Sequence, residues 1–201
     1  MVKFYTEAGY SGMVITDHYF SLFYEWFKSE FCPSDHTSII ERYLRGYHAA
    51  RNEAEKTGFT LLCGAEVRLD NTPNDYLIYG LEEGDLYALP LLNRLKSIGE
   101  LLSALPSHAV VVQAHPFRDH MTVLSPTDLF GIEVYNGRTD PYRNQMARDY
   151  AAHYGKVMTS GSDFHKMKDL ARGGISTERS IQSSRDLVEV LKSGDYSLIT
   201  T

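Results

Sequence analysis

Short apolar runs alternate with longer amphipathic stretches along the whole chain. Residues 1 to 9 read as the end of a helix, with Gly9 suited to its terminus. An apolar run comes next and is predicted as a strand over 13–16. In "TSIIERYLRGYHAARNEAEKT" (37–57), Ile40, Tyr43, Leu44, Tyr47 and Ala50 fall on one helical stripe that Gly58 closes. "FTLLC" (59–63) and "YLIYG" (76–80) read as buried strands. The spacing of Leu91, Leu95, Ile98, Leu101 and Leu102 predicts a helix over about 91–104 with those residues inward. "AVVVQA" (109–114) and "GIEVY" (131–135) are strands, 142–154 is helical, and "KVMTS" (156–160) is a strand. A helix at 184–193 precedes "YSLIT". Continuous apolar strands alternating with amphipathic helices predict an α/β fold whose parallel sheet is buried on both faces. With no repeat, low-complexity tract or linker, residues 1–201 form one domain in this reading.

In such folds the chemistry gathers beyond the carboxyl ends of the strands. After 13–16 come Asp17 and His18, and after 59–63 comes Gly64-Ala65-Glu66. His115-Pro116-Phe117-Arg118 comes after 109–114, Asn136-Gly137-Arg138 after 131–135, and Ser162-Asp163-Phe164-His165 after 156–160. A carboxylate entering a core is costly unless paired or metal-bound, which draws attention to Glu66. The apolar run of "VVVQAHP" drives His115 out of a strand, where a neutral imidazole is a good zinc, manganese or iron ligand. Side chains alternate along an extended segment, so Asp163 and His165 share a side. Each alone has a plain reading, as a strand-end ion pair, a turn or a helix cap. Together, His18, Glu66, His115, Asp163 and His165 predict a metal site.

Arg118 is the candidate for binding a substrate phosphate through its planar fork of donors, ahead of Arg138; either could instead pair with a surface carboxylate. Asp35 and Ser34 suit a helix N-cap. His36, His48, His108 and His153 read as structural, and His120 lies in the loop after His115. The aromatics from Tyr19 to Phe27 read as core packing rather than a lid. A net charge of −6 without a basic cluster argues against nucleic acid, and no apolar run is long enough for a membrane span. Cys32 and Cys63 lack C-x-x-C spacing, and the expected setting is reduced and cytoplasmic.

"ITDH", "GAE", "AHPFR", "IEVYNGR" and "GSDFH", in this order, resemble the successive strand-end motifs of the PHP family, named for polymerase and histidinol phosphatase domains. The resemblance covers almost the whole chain. It implies a distorted (β/α)7 TIM-like barrel, two or three zinc, manganese or iron ions, and hydrolysis of a phosphoester by metal-activated water. Carried over by position, Glu66 would bridge two metals, His115 would ligate one of them, and Asp163 would ligate the bridged pair. His18 and His165 would help hold a third, with Arg118 on the phosphate.

The chain departs from the family at its start. Family members open with a strand bearing Asp-x-His-x-His, whereas "MVKFYTEAGYSG" corresponds to the helix after it. Relative to the family the domain is therefore N-terminally truncated, and its first strand, with at least two histidine ligands, is missing. Asn136 stands where some members place a histidine. One metal centre would keep only Glu66 and Asp163, below the three protein ligands of ordinary catalytic zinc sites, so impaired turnover is expected. A fragment of a longer enzyme, a natural degenerate member and completion by an adjacent subunit are the three explanations; the exposed strand edges would favour a homo-oligomer. The expected substrate is a small phosphorylated metabolite or nucleotide. The alternatives are a non-catalytic PHP-like binding or regulatory domain and, third, a metal-dependent C–N hydrolase.

Overall fold

The computed structural model describes residues 1–201. A first helix α1 (Val2–Glu7) leads into β1 (Gly12–Ile15) and β2 (His18–Tyr19), followed by α2 (Ser21–Phe27) and the long α3 (His36–Thr57). Next come β3 (Thr60–Cys63), β4 (Ala65–Arg68), β5 (Asp75–Tyr79), α4 (Glu83–Ala88) and α5 (Ile98–Ala104). The remaining elements are β6 (Val110–Gln113), β7 (Gly131–Asn136), α6 (Pro141–His153), β8 (Val157–Gly161), β9 (Gly173–Ser176), α7 (Ser184–Ser193) and β10 (Ser197–Thr200).

The main sheet runs β2-β4-β5-β6-β7-β8. β1 and β3 pair in parallel and lead directly into β2 and β4, which are parallel too. The amides of Gly64 and Glu66 donate to the carbonyls of Ile15 and Asp17, at 2.9 and 3.0 Å, so the pairing continues across both junctions. β6, β7 and β8 are parallel, while β9 and β10 form a separate antiparallel ribbon. Helices α3 and α5 press Ile39, Ile40, Leu44 and Leu101 against Val67, Ile78, Val111 and Ile132 in a core of 23 buried residues. No helix is long and apolar enough to cross a membrane.

The sheet corrects the expectation of uniformly parallel strands, because β5 is antiparallel to both neighbours. The short connection from Arg68 to Asp75 returns the chain as a hairpin, and hairpin-linked strands must be antiparallel. The expected helix over 91–104 is likewise corrected. Leu92–Arg94 form a single tight turn, and α5 begins at Ile98 because Ser97 caps it, accepting from the Glu100 amide at 3.2 Å. Leu101 is fully buried as expected, whereas Leu102 is 40% exposed. Asp35 caps α3 by accepting from the Thr37 amide at 3.0 Å, while Ser34 hydrogen-bonds the Cys32 sulfur instead. Of the aromatics after His18, Tyr19, Phe20 and Phe23 are buried, but Trp26 is 60% exposed.

The two cysteines differ sharply in environment. Cys63 ends β3 inside the core, where burial pushes its thiol up to about 12. Cys32 is exposed, and hydrogen bonds from Ser34 lower its pKa. A thiol-reactive chromophore is therefore expected to titrate one thiol per native chain and two in denaturant. A second thiol reacting at the native rate would refute this placement of β3.

Candidate functional site

Strand β2 begins with His18 opposite Glu66 in β4, a register that sets imidazole beside carboxylate. Glu66 is the hinge of the site: its Oε2 lies 3.0 Å from His18 Nδ1 and its Oε1 lies 3.1 Å from His115 Nε2. Burial drives the Glu66 carboxyl upward, but the hydrogen bonds and charges of His115 and His18 outweigh it and hold the group well below the usual carboxylate range. Reciprocally, the hydrogen bond to Glu66 raises the His18 pKa. Burial works to depress His115, yet Glu66 and the nearby Glu133 charge raise it.

A residue absent from the sequence-derived set completes this cluster. Asp75, at the amino end of β5, is buried with its Oδ2 3.7 Å from His115 Nε2. Arg68, opposite it in the β4–β5 register, donates to both Asp75 oxygens at 2.7 and 2.6 Å. Glu66, Asp75 and His115 each offer one ligand atom, all within 4.8 Å of one another and all buried. Two carboxylates and an imidazole converging in a buried place suit a borderline divalent cation, since like charges held this close call for a cation between them. Arg68 compensates part of that charge and fixes the Asp75 rotamer. This donor set can hold a divalent metal.

The second half of the site lies beyond β7 and β8. Asp163 takes a left-handed backbone conformation (φ 50°), so it is not part of an extended segment, but its side chain still meets His165, with Oδ1 3.2 Å from Nδ1. Arg118 donates from Nη2 to Asp163 Oδ2 at 2.6 Å and to Asn136 Oδ1 at 2.7 Å, and from Nε to Thr139 Oγ1 at 2.8 Å. Arg138 Nη1 lies 2.8 Å from His165 Nδ1. The two halves approach through the rings of His18 and His165, whose centroids are 5.6 Å apart.

The structure thus brings all five sequence-derived ligand candidates and Arg118 to one end of the sheet. His48 and His108 pair away from this cluster, with Glu83 and Asp85. Glu133 also escapes a reading by strand ends. It is buried in β7, burial pushes its carboxyl up to about 7, and its Oε2 accepts from the His115 amide at 2.9 Å.

Fold and site define the class: a mixed α/β domain with a buried carboxylate–imidazole cluster flanked by arginines. Residues 141–196 match the family model described as PHP-associated. The fold resembles that of a two-domain protein from Bacteroides vulgatus containing a predicted PHP-like metal-dependent phosphoesterase (19% identity, TM-score 0.65). That match covers 94% of this chain and 56% of that one, so this chain spans little more than half of that protein's length. It also resembles PsfC from Pseudomonas syringae (16% identity, TM-score 0.66, covering 100% of this chain and 81% of that one). A third likeness is to an amidohydrolase from Chromobacterium violaceum with bound sulfate and no metal (15% identity, TM-score 0.54, covering 94% and 89%). At these identities the likeness is one of fold. No curated protein matches the chain. The family match at its C-terminal end and the shared fold along its length make the chain similar to PHP-like proteins.

Proposed function

We propose that the domain is a metal-dependent phosphoesterase acting on a small phosphorylated metabolite or nucleotide. The observation that carries this reading is the buried convergence of Glu66, Asp75 and His115, linked through His18 and His165 to the Arg118–Asp163 pair. Glu66, Asp75 and His115 would hold one zinc, manganese or iron ion, with His18, Asp163 and His165 as further ligands. Such an ion supplies Lewis acidity and lowers the pKa of bound water. The chain's own residues prepare the place. Arg68 pins Asp75, Glu66 fixes the rings of His18 and His115, and Arg118, tied down through Nε and Nη2, would offer its remaining donors to a phosphoryl oxygen.

Within the same proposal, these residues belong to a (β/α)7 barrel whose first strand would lie between β1 and β8. A cavity of about 1060 Å³ lies between β1 and β8. Each of these strands pairs on one side only, β1 with β3 and β8 with β7. Apolar side chains of Leu62, Leu77, Leu187 and Ile199 line the cavity, and Asp17, Glu66 and Asp163 border it. An extended segment would fit between the two edges, whether it came from a longer form of the chain or from a second copy. Without it, Asp163 is spoken for by Arg118 and His165, and turnover by these 201 residues alone is weak.

Elemental analysis of protein purified without chelator or affinity metal tests the metal reading. About one equivalent of zinc, manganese or iron is expected, lost in His115→Ala; a folded wild type without metal, even after incubation with excess Mn²⁺ or Zn²⁺, would rule the centre out. The amidohydrolase-like neighbour motivates a second reading, C–N hydrolysis. Parallel assays on phosphoesters and cyclic amides separate the two, and a cyclic amide as the preferred substrate would displace phosphoester hydrolysis. Phosphate binding without turnover under full metal loading would favour a non-catalytic binding domain.

A further inference from the structure

The ring of His115 poses a problem of support. An imidazole that ligates a metal ordinarily donates its other ring nitrogen to a carboxylate or carbonyl, which fixes its orientation. Here Nδ1 of His115 is buried without a partner, so nothing holds the ring from behind. The backbone beneath it is also in an uncommon conformation for a residue other than glycine, φ 30°. A non-glycine residue persists in such a place only when its surroundings over-determine it.

Those surroundings centre on Glu133. Its Oε2 accepts the His115 amide at 2.9 Å and the Asn136 side-chain amide at 3.0 Å. Asn136 Oδ1 in turn accepts from Arg118 at 2.7 Å and from the Arg138 amide at 2.9 Å, and the Arg118 amide donates to the His115 carbonyl at 3.1 Å. The other oxygen, Oε1, abuts Gly161 of β8 so closely that a Cβ there would stand 2.6 Å away. Glycine at 161 thus leaves room for the carboxylate.

We propose that Glu133 is a positioning residue that holds the His115 backbone, and thereby its ring, toward Glu66 and Asp75, while setting Arg118 through Asn136. The proposal rests on the metal-centre reading for its purpose but not for its geometry, so it can be tested in metal-free protein. The readouts are the ¹⁵N resonance of His115 Nε2 without metal and the affinity for Mn²⁺ by calorimetry, in wild type, Glu133→Ala, Glu133→Gln and Gly161→Ala, with Mn²⁺ affinity measured in His115→Ala as well. Gln can keep one oxygen where both donors converge, with its NH₂ on the Gly161 side. It is expected to preserve the resonance and bind Mn²⁺ within about threefold of wild type. Ala is expected to move the resonance toward that of an unconstrained imidazole and to weaken Mn²⁺ about tenfold, the scale of lost outer-shell support. Gly161→Ala displaces the carboxylate without removing it and is expected to act in the same direction, which keeps the test open if Glu133→Ala fails to fold. An unmoved His115 resonance in folded Glu133→Ala or in Gly161→Ala would overturn the proposal. Mn²⁺ affinity unchanged in His115→Ala would overturn the metal-centre reading instead, with the resonance still deciding the role of Glu133.

Discussion

Joining a strand that carries His-x-His ahead of α1 is expected to raise phosphoester turnover by at least about 100-fold under saturating Mn²⁺, because two added imidazoles should each count for more than the 10–100-fold of outer-shell partners. The geometry favours this route. A strand laid between β1 and β8, then α1, then β1 is a strand–helix–strand unit, whose right-handed crossover is the ordinary way to join parallel neighbours. The cavity between these edges is lined by apolar side chains that an inward-facing residue of the new strand would cover. At its polar end, the added imidazoles would emerge near Asp17, Glu66 and Asp163. A control strand with both histidines replaced by alanine separates the chemistry of the ligands from simple closure of the fold. Equal activity in the two fusions, or none in either with metal fully loaded, would count against the missing-strand account.

Glu66→Gln is expected to lower Mn²⁺ affinity by at least about 100-fold, more than loss of an outer-shell partner would. The substitution keeps shape and removes charge. Glu66 touches both His18 and His115, so the loss reaches both imidazoles at once: each loses its anionic partner and the attraction that fixes it. Asp75 cannot take over, because it starts at 3.7 Å from His115 and is held by both donors of Arg68. The fold itself should survive, since the core of α3, α5 and the sheet makes no use of this carboxylate. Calorimetric titration with circular dichroism as a folding control checks this. Retained affinity in Glu66→Gln would move the centre away from β4.

Much of the site is legible in the sequence because parallel strands announce their business at their carboxyl ends. His18, Glu66, His115, Asp163 and His165 each stand at or just past the end of an apolar run. The same rule hides Asp75. β5 is antiparallel, so its amino end, not its carboxyl end, meets the site, and nothing in "DYLIYG" reveals which way the strand will run. Glu133 is hidden for another reason: it lies within an apolar strand, where only the approach of His115 and Gly161 gives its carboxylate a purpose. The break before α5 is readable in principle, since Ser97-x-x-Glu100 is a capping pattern that interrupts the leucine spacing.

What the sequence determined by itself was local: the periodicities of 2 and 3.6 that sort strands from helices, and the residue types placed where those strands stop. Tertiary structure decided direction and distance. It turned β5 against its neighbours, brought Arg68 across to fix Asp75, and gathered Asn136, Arg118 and Asp163 around a buried Glu133. The contacts of Glu133 with His115, and of Arg118 with Asn136 and Asp163, join residues 18 to 45 positions apart. They depend on strand register and on the path of the loops, which local spacing along a chain does not encode.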